Sequence, residues 1–141
     1  MTKLLNKMRL LIVDDDEDDS DLFIEAVEEV DELIACNTAK NGLAALEWLR
    51  DSTHTLPDLI FLDISMPLLN GKKCLEEIKR DDRLKEIPVI IYTTSRDVEE
   101  SKLLKEMGAF HFISKPANAD EIYYLVAVTL EEHLLTTRHK H

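Results

Sequence analysis

At 141 residues, with 45% apolar and 33% charged side chains and only three glycines and four prolines, the chain is sized for one compact domain and falls outside collagen-like and low-complexity classes. A formal charge of −12 repels phosphate backbones and anionic lipid alike, so nucleic acid and membrane are excluded as basic-patch partners, leaving proteins or cations. Cys36 and Cys74 lack zinc-site or disulfide-scaffold spacing and read as buried thiols, and no N-terminal apolar run resembles a signal peptide or the ~20 residues needed to span a bilayer, so residence in the cytoplasm is expected.

In chain order, short β-rich runs alternate with longer segments of helical period, the pattern of a parallel sheet covered by helices on both faces. Strands are expected over Arg9–Val13, Leu33–Asn37, Leu59–Leu62, Val89–Tyr92 and Phe110–Ile113. The first, third and fourth are continuously apolar and belong in the centre of the sheet. Between them, Leu22, Phe23, Ala26, Val27 and Val30 share a helical stripe, as do Ala45, Leu46 and Leu49, then Leu75 and Ile78, then Leu103, Leu104 and Met107. A last helix carries Ile122, Leu125, Val126, Thr129 and Leu130 and is expected to end near a polar tail, residues 136–141, that frays. The whole chain, 1–141, reads as one domain with its core over about 9–134.

In a right-handed doubly wound sheet, the loops that follow the strands gather at one edge, where ligands bind. The first strand runs into Asp14, Asp15, Asp16, Glu17, Asp18 and Asp19, and the third into Asp63. Carboxylates converging there repel one another unless a hard divalent cation with oxygen ligands intervenes, and magnesium, which keeps sites open for phosphate oxygens, fits best. The plainer reading is that the acids support the N-terminus of the next helix. Asp18 and Asp19 are assigned to that role, and for Asp14 and Asp15 composition leaves both readings open. After the fourth strand come Thr93 and Thr94, and after the fifth Ser114, Lys115 and Pro116. An aspartate that accepts a phosphoryl group needs the charge around it neutralised, which a metal, an ammonium and a hydroxyl can do together.

The runs Leu11-Ile-Val-Asp-Asp15, Leu62-Asp-Ile-Ser-Met-Pro67 with Gly71, Tyr92-Thr-Thr94 and Ser114-Lys-Pro116 resemble the receiver domains of two-component response regulators, over roughly residues 9–130. The resemblance implies a flavodoxin-like α/β fold with strand order 2-1-3-4-5. It implies Asp63 as phosphoacceptor, Asp15 as a direct Mg2+ ligand, Asp14 as an acid acting largely through water, and Ser65 as a backbone-carbonyl ligand. Lys115 would bridge to phosphoryl oxygens, Thr93 would hydrogen-bond the bound group, and the Lys115–Pro116 peptide would be cis. Phe112, three residues before the lysine, would be the switch ring that alters the face built from the fourth helix, fifth strand and fifth helix. The implied donors are a histidine kinase or a histidine phosphotransfer protein, and the implied output is a protein partner or self-association through that face. The protein would then be a regulatory phosphoacceptor rather than an enzyme, assisting only its own phosphorylation and dephosphorylation.

Departures from the pattern are Phe112 where tyrosine is common and Ala117 where an aromatic is frequent. An aspartyl-nucleophile phosphatase is disfavoured because the position two beyond Asp63 is Ser65, not an acid. A dinucleotide site is disfavoured because Gly42, Gly71 and Gly108 cannot make a Gly-rich phosphate loop. A receiver-like module that no longer accepts phosphate would not need Asp15, Asp63, Thr93 and Lys115 intact. His54 and His111 are assigned no catalysis, and His139 and His141 read as part of a solvated tail.

Overall fold

The computed structural model describes residues 8–65 and 70–139, with side chains as far as His133. Five strands, β1 (Arg9–Val13), β2 (Ala35–Ala39), β3 (Leu59–Leu62), β4 (Val89–Thr93) and β5 (His111–Ser114), alternate with five helices, α1 (Glu17–Val30), α2 (Gly42–Arg50), α3 (Gly71–Arg80), α4 (Val98–Glu106) and α5 (Ala119–His139). All strand pairs are parallel, in the order β2-β1-β3-β4-β5, as the sequence led us to expect.

Alternation along the central strands sorts their side chains onto two faces. Leu10, Ile12, Leu59, Phe61, Ile90 and Tyr92 meet Phe23 and Val27 of α1 and Val126 and Leu130 of α5. Leu11, Val13, Ile60, Leu62, Val89 and Ile91 meet the other three helices through Leu46, Leu49, Leu75, Ile78 and Leu104. Strands buried on both faces cannot show a polar alternation, which is why β1, β3 and β4 read as unbroken apolar runs.

Several boundaries differ from the sequence reading, and β2 and β5 also run on to Ala39 and Ser114, past the expected Asn37 and Ile113. β2 begins at Ala35, not Leu33, because Leu33 is 60% exposed in a turn whose Asp31 carboxylate takes its N–H, while Ala35 donates to Met8 O and pairs with Arg9. β5 begins at His111, since Phe110 only hands its N–H to Val89 O before the strand pairs. β4 extends one residue, to Thr93, because Thr93 pairs with Ser114. Leu22 and Leu103 lie at the exposed margins of their stripes, at 41% and 45%. α5 remains helical to His139, so the expected end near residue 136 is corrected; its carboxyl-terminal turns continue the intrahelical hydrogen bonding. Residues 140–141, and with them His141, lie outside the described residues, as does the side chain of His139.

Both cysteines are free; Cys74 is buried as expected, whereas Cys36 is only half-buried, and burial pushes their thiols up to about 12 and about 11, respectively. Among the described residues no helix is long and apolar enough to cross a membrane.

Candidate functional site

The ends of β1 and β3 are adjacent, and their register sets Asp14 beside Asp63: Asp14 N–H donates to Ala39 O, and Asp63 N–H donates to Val13 O at 2.9 Å. Both residues are 6% exposed, whereas Asp15 stands in solvent. One carboxylate oxygen from each of Asp14, Asp15 and Asp63 lies within 4.8 Å of the other two. The hard oxygen donors and surplus negative charge suit a divalent cation such as Mg2+. Ser65 follows in the same loop and donates its backbone N–H to Asp63 Oδ1 at 3.0 Å. Met66 and Pro67 of the motif lie outside the described residues.

Gly71, the first residue of α3, lets the start of that helix pack directly on the acceptor segment. Its N–H reaches Ile64 O, and a Cβ there would sit 2.4 Å from Ile64 Cα and 2.6 Å from Asp63 O. No residue with a side chain fits without moving the backbone of the acceptor segment.

Lys115 enters from the β5–α5 loop. Its Nζ donates to Asp14 Oδ2 at 2.6 Å, Asp19 Oδ2 at 2.9 Å and Asp63 Oδ2 at 3.2 Å, and it stands 5.8 Å from the centre of the Tyr92 ring. Burial works to lower the Lys115 pKa, but the hydrogen bonds to Asp14 and Asp19 and the fields of Asp14 and Asp63 outweigh it, so the ammonium is held well above its ordinary value. Asp14 has the opposite balance. Its burial, with Asp63 adding repulsion, outweighs the Lys115 and Asp16 hydrogen bonds and raises its carboxyl. The two directions agree physically: one ammonium faces three carboxylates, whereas Asp14 shares that ammonium with two other acids.

A raised carboxyl favours the fold below its ordinary value of 3.8, and that contribution is lost as pH rises through the raised value. At neutral pH the ionised Asp14 therefore costs stability that a cation can relieve. Mg2+ at a hundred times its Kd should add about 2.7 kcal/mol to the unfolding free energy. The gain should shrink from pH 7.5 to pH 5, where protons compete for the ligands; a calorimetric Tm insensitive to Mg2+ at both pH values would contradict this.

Thr93 is fully buried; its carbonyl accepts Lys115 N–H at 2.7 Å and its hydroxyl faces Ser95 N–H at 3.5 Å. Phe112, on β5, is half-buried against the core beneath α4 and borders a depression with Asp97, Val98 and Ser101.

Two readings are corrected. The Lys115–Pro116 peptide is trans, for among the described residues no peptide bond is cis. Trans is the form an X–Pro bond favours by ~0.5–1 kcal/mol, and here it already brings Lys115 onto both Thr93 O and the carboxylates. Asp19 does more than support a helix start. The cap of α1 is Asp16, whose Oδ1 accepts the N–H groups of Asp18 and Asp19, and this leaves the Asp19 carboxylate free to bind Lys115. His111, assigned no catalysis, meets Glu132 at 3.1 Å across to α5, a contact far apart in sequence. The other histidine assigned no catalysis, His54, stacks on Trp48 and shares a hydrogen bond with its carbonyl, a packing role.

The carboxylate–lysine cluster sits outside the carboxyl ends of the central strands of a doubly wound sheet, the edge at which α/β domains of this class bind their ligands. Residues 10–127 match the family described as the response regulator receiver domain. The response regulator Rcp1 of Synechocystis sp. is 32% identical over 124 residues, 83% of this chain and 82% of Rcp1. The phosphorylated cyanobacterial phytochrome response regulator RcpA superposes with a TM-score of 0.85 at 29% identity, covering 92% of this chain and 95% of RcpA. The Mn2+-bound form of Rcp1 superposes with a TM-score of 0.78 at 28% identity, covering 85% of this chain and 89% of that one. The chain belongs to the response-regulator receiver family of two-component signalling. It also matches a protein-glutamate methylesterase/protein-glutamine glutaminase of Bacillus licheniformis, at 33% identity over 92% of this chain, and the regulator NtrC of Escherichia coli, at 36% over 66%. It spans only 35% and 19% of those two proteins, so what they do as wholes is not carried over.

Proposed function

We propose that this receiver, taken as a single domain over 1–141, accepts a phosphoryl group on Asp63 from a histidine kinase or a histidine phosphotransfer protein. Mg2+ would be held by Asp14, Asp15, Asp63 and the Ser65 carbonyl. The observation that carries the reading is the buried Lys115 ammonium, 3.2 Å from Asp63 Oδ2 within a three-aspartate cluster. When bound, Mg2+ supplies charge neutralisation for the phosphoryl oxygens.

The chain's own part is orientation and charge. Asp63, fixed by the Ser65 and Val13 hydrogen bonds, attacks phosphorus in line. A new O–P bond forms as the donor's P–N bond breaks; the electron pair stays on the donor imidazole, which takes up a proton. Lys115 donates to phosphoryl oxygens in place of a carboxylate, and Thr93 turns its hydroxyl from Ser95 N–H toward the new group. That turn vacates space for the half-buried Phe112 ring. Phe112 has no hydroxyl, so the output changes by packing.

The output face is that of α4, β5 and α5, where Val98, Leu103, Phe110, Tyr124 and Val128 are exposed and apolar. Such a cluster favours a protein contact, with an output partner or with a second copy. The formal charge of −12 argues against nucleic acid and membrane there, and the reading keeps the protein in the cytoplasm and without turnover of an external substrate.

Intact mass after incubation with acetyl phosphate tests the reading. A gain of one phosphoryl group that requires Mg2+ and disappears in Asp63→Asn is expected; a gain that persists in Asp63→Asn removes Asp63 as the acceptor.

A further inference from the structure

The Lys115 ammonium has three N–H donors and three carboxylate acceptors, at 2.6, 2.9 and 3.2 Å, so it is saturated. Two of those acceptors, Asp14 and Asp63, belong to the aspartate group that could hold a cation. The third, Asp19, does not. Asp19 is set by α1 rather than by the β1 or β3 loop: its N–H is tied to the Asp16 cap at 3.2 Å, in the first turn of the helix. Its side chain is 36% exposed against 4% for Asp14, so it carries a charge at lower desolvation cost.

We propose that Asp19 is a positioning residue for phosphoryl transfer, holding the Lys115 ammonium at the site when Asp14 is engaged by the cation and Asp63 by the phosphoryl group. This rests on the function proposed above. Without Asp19, the lysine keeps only partners that have other duties at the moment of reaction. With it, one N–H stays anchored on α1 and the other two are free to turn toward phosphoryl oxygens.

The test uses the full chain with Asp19→Asn, Lys115→Ala and the double variant, each at saturating Mg2+ with acetyl phosphate as donor. Asp19→Asn should slow phosphorylation by roughly ten- to a hundredfold, the scale of a mispositioned group. In the Lys115→Ala background the same change should cost nothing further; losses that multiply would show that Asp19 does not act through the lysine. Asp19→Glu should recover part of the rate, and urea unfolding of each variant separates slowing from loss of fold.

A second readout does not need phosphoryl transfer. The Lys115 ammonium proton signal, observed by 15N NMR in Mg2+, should be protected from exchange in the wild type and lost in Asp19→Asn. Equal protection in both overturns the anchor. A wild type that takes no phosphoryl group, yet shows that difference, overturns the proposed function and leaves the anchor standing.

Discussion

Lys115→Ala is expected to lower the unfolding free energy in Mg2+-free buffer at pH 7 by roughly 3 kcal/mol, at the lower end of what breaking a buried ion pair costs. The side chain is 8% exposed and answers three carboxylates, two of them buried, which the substitution leaves facing one another. The lower end applies because Asp19 reaches solvent. The lysine pKa is raised, so its contribution is whole below the ordinary value of 10.5 and is lost only as pH rises through the raised one. At pH 7 the full difference is therefore present. It should narrow in acid, as Asp14, whose carboxyl is raised, gains a proton and removes one of the repelling charges. Mg2+ should narrow it too, by supplying positive charge to the same oxygens. Phosphorylation by acetyl phosphate should fall by at least about a hundredfold, the usual effect of losing a donor to a charge-bearing oxygen. Urea midpoints equal to wild type without Mg2+ would mean that the three carboxylates do not need the ammonium.

Gly71→Ala should be the more damaging change for its size. One methyl group would lie 2.4 Å from Ile64 Cα, 2.6 Å from Asp63 O and 2.8 Å from Ile64 Cγ2. Two of the three are backbone atoms, which cannot turn aside as a side chain can. A loss of about 3 kcal/mol is expected, the upper range for overpacking, with a drop in phosphorylation because the displaced segment carries Asp63. Gly108→Ala is the control. Gly108 closes α4 at φ +110°, and the atoms nearest a Cβ there belong to the flexible Lys79 stem, the first at 3.2 Å. Its replacement should cost ~1–2 kcal/mol of left-handed strain and leave the phosphoryl gain unchanged. Urea unfolding beside intact mass separates the two; a Gly71→Ala protein as stable and as readily phosphorylated as wild type would show that the loop has room to spare.

Much of this was legible along the chain because the central strands are buried on both faces and the helices on one. Those burial patterns leave periods of their own, so β1 and β3 could be bounded to the residue and placed centrally, while the strand order was anticipated only from the family resemblance. The edge strands were not so bounded. β2 is half-buried along most of its length, and its apolar neighbours Leu33 and Ile34 belong to the turn before it; only the pairing of Ala35 with Arg9 sets its start. Asp14, Asp15, Asp63 and Lys115 were readable as candidates because each follows a strand. Asp19 was not, because an acid in the first turn of a helix looks the same whether it meets solvent or a lysine from the far end of the chain. A further signal was available in Asp16, a better-placed cap, which left Asp19 without a necessary local role.

The sequence by itself determined the layers, the edge at which function gathers and the chemical kinds collected there, since periodicity and strand ends depend on local order. Only the tertiary structure decided how the charges share one another: which carboxylates Lys115 binds, that Lys115–Pro116 is trans, that His111 answers Glu132, and that Gly71 must be glycine. Each of these is a meeting of residues brought together by packing across the sheet edge or between helices, and no local pattern of residue types encodes such distances.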